Sequence, residues 1–135
     1  MSIFIASDHA GFELKEYLKN YFNFSDLGTY ENSSCDYPIF AQKMCNQIKE
    51  GDKGILICGT GVGMSIAANR FKHVRAALCF NEEMAILSRQ HNDANVLVLG
   101  ARIISAEIAR NCVEKFLSTD FEGGRHQRRL DLIDD

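Results

Sequence analysis

The chain has 135 residues, 46% hydrophobic and 24% charged, with 15 Lys and Arg against 18 Asp and Glu for a formal charge of −3. That composition excludes disordered and collagen-like chains, and the sign of the charge argues against a nucleic-acid binder working through a broad basic surface. No apolar run approaches the roughly 20 residues a helix needs to cross a bilayer, so no membrane partner is expected, and the length suits one domain over 1–135 with a core that needs no disulfide or metal staple.

Short apolar runs alternate with helical patterns along the chain. Ile3 to Ala6 reads as a strand, and Phe12, Leu14, Tyr17, Leu18, Tyr21 and Phe22 follow at helical spacing. Asn23 to Asp26 is a weak second strand. Tyr37-Pro38 can open a helix, because proline suits the first turn, with Phe40, Ala41, Met44, Cys45 and Ile48 on one face and Gly51 as its end. Ile55 to Cys58 is a continuous apolar run of the kind buried on both faces of a parallel sheet. A glycine-rich turn, Gly59 to Gly63, leads into a helix through Met64, Ile66, Ala67 and Ala68. Val74 to Cys79 is the next strand, Glu82 to Arg89 a helix capped by Asn81, and Val96 to Leu99 the fifth strand; Ser105 caps a final helix. The residues beyond about Arg129 read as a loose tail. Five strands each followed by a helix predict an α/β, three-layer Rossmann-like sandwich on a five-stranded parallel sheet. Ligands bind such sheets beyond the carboxyl ends of the strands, here Ser7-Asp8-His9, Cys58-Gly59-Thr60, Phe80-Asn81 and Gly100-Ala101-Arg102.

Five cysteines, an odd number without a CxxC pair, and a start without basic and apolar signal regions predict free thiols in a reducing, cytoplasmic setting. Cys58 differs from the others in position. The sequence Cys58-Gly-Thr-Gly-Val-Gly63 lies where a strand becomes a helix, so unpaired N–H groups and the positive end of the helix dipole favour an anion. The same surroundings lower a thiol's pKa, which makes Cys58 a candidate base or nucleophile; the bland alternative is a buried strand end. Other glycine motifs do not fit. Met64 follows Gly63 where a Walker loop needs Lys, and Met64 also occupies the third glycine position of a dinucleotide fingerprint. The nearest arginine, Arg70, is a full helix away from where a cysteine phosphatase needs one.

His9, His73, His91 and His126 show neither HExxH nor paired-cysteine spacing, so no metal site is expected. Asp8 beside His9 suits a helix cap as well as a ligand, and the loop Arg89-Gln-His-Asn-Asp93 suits a solvated turn as well as an acid–base site. Arg125, His126, Arg128 and Arg129 crowd into five positions, a cluster sized for one anionic group or a solvated basic turn; Arg125 and Arg129 would share a face if helical. Tyr37 by itself suggests packing.

Together, Ser7-Asp-His-Ala-Gly11, Asp36-Tyr-Pro38, Gly54 to Gly63, Ser65-Ile-Ala-Ala-Asn69, Ser88 to Asp93 and Glu122 to Gln127 resemble the ribose-5-phosphate isomerase B family, which includes galactose- and allose-6-phosphate isomerases. The resemblance spans nearly the whole chain. It implies cofactor-free aldose–ketose isomerisation of a phosphorylated sugar in the pentose phosphate pathway, with proton transfer between C1 and C2 through an enediolate. It further implies catalytic roles for Cys58 as base, Thr60 as proton shuttle between sugar oxygens and His91 as ring opener. Gly59, Gly61, Val62 and Gly63 would hold the enediolate oxygen through backbone N–H groups, and Asp8 and Asn92 would hold hydroxyls. Arg125, Arg129, His9 and Arg102 would grip the phosphate, with Tyr37 lining the pocket; Arg128 lies outside the pattern. Homodimers or dimers of dimers are implied as well, with His91, Asn92 and the C-terminal arginines completing a site whose Cys58 belongs to the other chain. The alternatives are a galactose- or allose-6-phosphate isomerase and a non-catalytic sugar-phosphate-binding module.

Overall fold

In a computed structural model that describes residues 1–134, the apolar runs pair as one five-stranded sheet. The strands are β1 (Ile3–Ser7), β2 (Ser25–Asp26), β3 (Lys53–Cys58), β4 (Ala76–Leu78) and β5 (Val96–Gly100). Every pairing is parallel and the spatial order is β2-β1-β3-β5-β4. The helices are α1 (Phe12–Leu18), α2 (Tyr37–Gln47), α3 (Val62–Ala68), α4 (Glu82–Gln90), α5 (Ala106–Ser118) and α6 (Arg125–Ile133). No helix among them is long and apolar enough to cross a membrane.

Strand order and the handedness of parallel crossovers together dictate which face each helix covers. The chain steps across the sheet in one direction from β1 to β2 and from β4 to β5, and in the other from β2 to β3 and from β3 to β4. Right-handed crossovers therefore send α1 and α4 to one face and α2 and α3 to the other. The core divides the same way. Leu56, Cys58, Val96 and Val98 pack with Ala41, Met44, Met64 and Ala68 from α2 and α3. Ile55, Ile57, Leu97 and Leu99 pack with Leu14, Leu18, Ala85, Cys112 and Phe116 from α1, α4 and α5. This alternation along β3 and β5 is the period-two pattern of a strand buried on both sides.

Several expected boundaries shift. The first helix stops at Leu18 rather than Phe22, and β2 keeps only Ser25–Asp26. Helix α2 ends at Gln47, and Ile48 is already extended. Strand β4 is shorter than Val74–Cys79, because Val74 is held in a turn to Phe71 and Asn69 takes both backbone groups of Ala76. That amide also blunts an edge strand whose backbone would otherwise be open to pairing.

The larger correction concerns the C-terminus, where the tail expected beyond about Arg129 is instead the second half of the helix α6, Arg125–Ile133. Its polar composition hides an i, i+4 stripe of His126 and Leu130, both buried against the body of the chain. Tertiary packing of that stripe stabilises a segment too short to be helical alone. Asp135, the last residue of the expected tail, lies outside the described residues.

One charge network ties α1 to the second strand. Lys15 is 0% exposed, and its ammonium sits 2.6 Å from Asp26 and 2.9 Å from Glu16. Burial pushes the Asp26 carboxyl up, but hydrogen bonds from Lys15, Lys19 and the Gly28 N–H outweigh it and hold the group below the usual range. A depressed carboxylate stabilises the fold above its unfolded pKa, and that contribution is lost as pH falls through the folded pKa. Asp26→Asn leaves the buried ammonium without its main partner and is expected to cost about 3–5 kcal/mol. Urea denaturation at pH 7 measures that loss, and repeating it below about pH 4 should show a smaller difference from wild type.

Candidate active site

The strand order creates a crevice between β1 and β3, from which successive crossovers leave in opposite directions. Ligands in open α/β sheets bind at that switch point, outside the carboxyl ends of the strands. Asp8 and His9 follow β1 there, and Cys58 ends β3. Cys58 is 5% exposed and its side chain lies on the α2–α3 face beside Met64.

The turn after Cys58 is shaped by close approach. Gly61 caps α3 in the left-handed region at φ 84°, where a side chain is strained. A Cβ at Gly59 would lie 2.8 Å from Nη1 of Arg102, so the guanidinium rests directly on the turn. The Arg102 N–H donates to the Gly59 carbonyl at 2.9 Å, and the Ala101 N–H donates to that of Cys58 at 2.9 Å. A Cβ at Gly63 would fall 2.6 Å from Cε1 of Tyr37, so that ring covers the first turn of α3. Thr60 is exposed, and its Oγ1 accepts the Val62 N–H at 3.2 Å. The hydroxyl hydrogen of Thr60 is thereby left to donate outward, while the Val62 amide is already engaged.

Asp8 is buried, and it is not the helix cap weighed from sequence, since Gly11 takes the N-cap position of α1; its Oδ1 instead accepts the Gly11 N–H at 3.0 Å and closes the turn that leads into the helix. His9 accepts the Cys35 N–H on Nδ1 at 3.2 Å. A backbone amide can only donate, so in this arrangement Nδ1 is the acceptor nitrogen and Nε2 carries the proton. Nothing in the sequence pattern ties Cys35 to His9. The remaining thiols are inert by burial, which pushes Cys45 and Cys112 up to about 11 and Cys79 up to about 12.

The other site residues named from sequence are elsewhere. Helix α4 runs back across the sheet, so His91 at its C-cap and Asn92 beyond it sit at the amino ends of the strands. Five residues of β5 separate the two ends, about 16 Å at a strand rise of about 3.3 Å per residue. Arg89 fixes this loop: it donates from Nη1 to Asp93 Oδ1 at 2.9 Å and to the Ala94 carbonyl at 2.7 Å. Arg125 and Arg129 are exposed on α6, four residues apart on one face, and neither forms an ion pair among the described residues. A cavity of about 630 Å³ between α6 and β4 is lined by Asn92, Leu130 and Ala77, and it does not reach Cys58 or the glycine turn.

Sequence reasoning gave no role to His126 or Glu122. His126 is 8% exposed and its ring stacks on that of His91, centroids 4.3 Å apart and 15° from parallel. With Glu122 these two form the one group of three metal-ligating side chains among the described residues, their donor atoms within 4.8 Å of one another. The arrangement does not suit a cation. Parallel stacked rings cannot both aim an in-plane lone pair at one ion, and Arg125 and Arg129 lie close enough to disfavour charge on His126. The i, i+4 spacing of Glu122 and His126, and of Arg89 and Asp93, is the signal in the sequence that could have drawn attention to this end.

Comparison with known proteins places this geometry in a family. A family model described as Ribose/Galactose Isomerase matches residues 3–133. Ribose-5-phosphate isomerase B of Escherichia coli (strain K12) is 44% identical, over 93% of this chain and 89% of its own length. The crystal structure of a ribose 5-phosphate isomerase from Thermotoga maritima superimposes with a TM-score of 0.95 at 56% identity, covering 98% of this chain and 97% of that one. Ribose-5-phosphate isomerase B from Mycoplasma genitalium, crystallised with bound ribulose 5-phosphate, superimposes with a TM-score of 0.92 at 47% identity, covering 98% and 93%. With its parallel sheet, cysteine-led glycine turn and matching length, the chain belongs to the ribose/galactose isomerase family.

Proposed function

We propose that the protein interconverts ribose 5-phosphate and ribulose 5-phosphate, with each active site assembled from two copies of the chain. The observation that carries the reading is Cys58 at the end of β3, leading a glycine turn bordered by Arg102 and Tyr37, in a family whose relatives bear that activity in their names. Cys58 as thiolate takes the C2 proton, and the electron pair left behind forms the C1–C2 double bond of an enediolate. Return of the proton to C1 makes C2 the carbonyl carbon, so the reaction is redox-neutral overall. The free amides of the turn meet the oxyanion as charge develops, where one such donor is worth roughly 3 kcal/mol. Thr60, with its hydroxyl hydrogen unengaged, passes a proton between O1 and O2.

His91 opens the furanose ring and Asn92 and Asp8 hold hydroxyls. The His9 Nε2–H and the guanidinium groups of Arg102, Arg125 and Arg129 hold the phosphate, where the arginine fork matches its oxygens. One chain cannot bring these groups together, because Cys58 and His91 lie at opposite ends of the sheet. A two-fold axis that pairs the carboxyl end of one protomer with the amino end of the next makes two equivalent sites. Exposed apolar side chains near the turn, Tyr37, Val62, Ile66 and Phe80, supply a surface for a second copy to cover. This chemistry fits a cytoplasmic enzyme of pentose phosphate metabolism.

Incubation with ribose 5-phosphate tests the reading directly. Formation of ribulose 5-phosphate is the expected result, and binding without turnover would instead mark a sugar-phosphate-binding module. Comparing kcat/KM for ribose 5-phosphate and allose 6-phosphate then distinguishes five-carbon from six-carbon specificity.

A further inference from the structure

His126 and His91 come from different elements, yet their imidazoles lie face to face. Two connections hold them so. The Glu122 N–H donates to the Gln90 carbonyl at 3.1 Å, pinning the stretch before α6 to the end of α4, and the His91 N–H donates to Leu87. Glu122 Oε1 then stands 3.6 Å from Nε2 of His126. The groups facing His126 are His91 from α4, Glu122 from the α5–α6 connection, and Arg125 and Arg129 from α6.

We propose that His126 is a positioning residue for His91: its buried face sets the plane of the His91 ring. Two imidazolium rings at this separation repel, which disfavours charging both at once. Burial, then His91 and Arg125, keep His126 below the ordinary histidine range, with Glu122 opposing them only in part. The aromatic face of His126 also accommodates the cation that forms each time His91 takes up a proton. This inference rests on the reading that His91 opens the sugar ring, a task that requires it both to give and to take a proton.

NMR without substrate reads the stack through the ring-current shift of the His91 ring protons, expected in the wild-type protein; its absence would overturn the proposal. His126→Phe keeps a flat partner and should hold kcat within about threefold of wild type. His126→Ala removes the stack and should lower kcat about tenfold with KM nearly unchanged; wild-type kcat in that variant would also overturn the proposal. His91→Asn separates this inference from the reading beneath it. Full turnover of ribose 5-phosphate by His91→Asn would defeat ring opening by His91, while the substrate-free spectrum of the wild-type protein still decides whether the two rings stack.

Discussion

Cys58→Ala is expected to lower kcat for ribose 5-phosphate by about 10²- to 10⁴-fold, the range one positioned general base contributes. The loss should fall on kcat, because the thiol contacts the migrating proton and the substitution alters none of the groups assigned to the phosphate. Stability should change little: the substitution removes one sulfur atom from a strand end whose backbone bonds, including the Ala101 N–H to the Cys58 carbonyl, stay in place. Cys58→Ser restores the volume with a far weaker base and should remain slow. Thermal unfolding beside the assay distinguishes lost chemistry from lost fold. Wild-type turnover by Cys58→Ala would remove Cys58 from the mechanism.

Mixing two inactive proteins should restore activity. Cys58→Ala and His91→Asn each spoil both sites of a homodimer, but a mixed dimer built as proposed has one site with Cys58 from one chain and His91 from the other. Random reassociation makes half the dimers mixed, each with one intact site, so about a quarter of wild-type activity is expected after co-refolding. A site contained within one chain gives no recovery, since each protein then carries a defect in its own site. The separation of Cys58 and His91 across the sheet makes this the sharper test of assembly.

Much of this was readable locally. Apolar runs marked β1, β3 and β5, Asn81 and Ser105 cap α4 and α5 as their positions suggested, and the turn from Gly59 to Gly63 does join a strand to a helix. These features depend on residues within a few positions of one another. Helix α6 escaped because its stabilisation is tertiary: only His126 and Leu130 are buried, among charges that read as a solvated tail. The short β2 and β4 lie at the two edges of the sheet, where one neighbour and looser burial weaken the apolar signal.

Composition, charge and motif spacing by themselves determined an α/β chain with a cysteine beside a glycine turn that opens a helix and a compact arginine cluster near its end. The modest net charge of −3 concealed that cluster, and its position in the sequence exposed it. Only the tertiary structure decided that β4 lies outside β5, that the crevice falls between β1 and β3, and that His91 is stacked on His126 at the far end from Cys58. The reason is physical: a local pattern specifies which face of an element is apolar, whereas strand order and the meeting of side chains from distant segments are set by crossovers spanning dozens of residues.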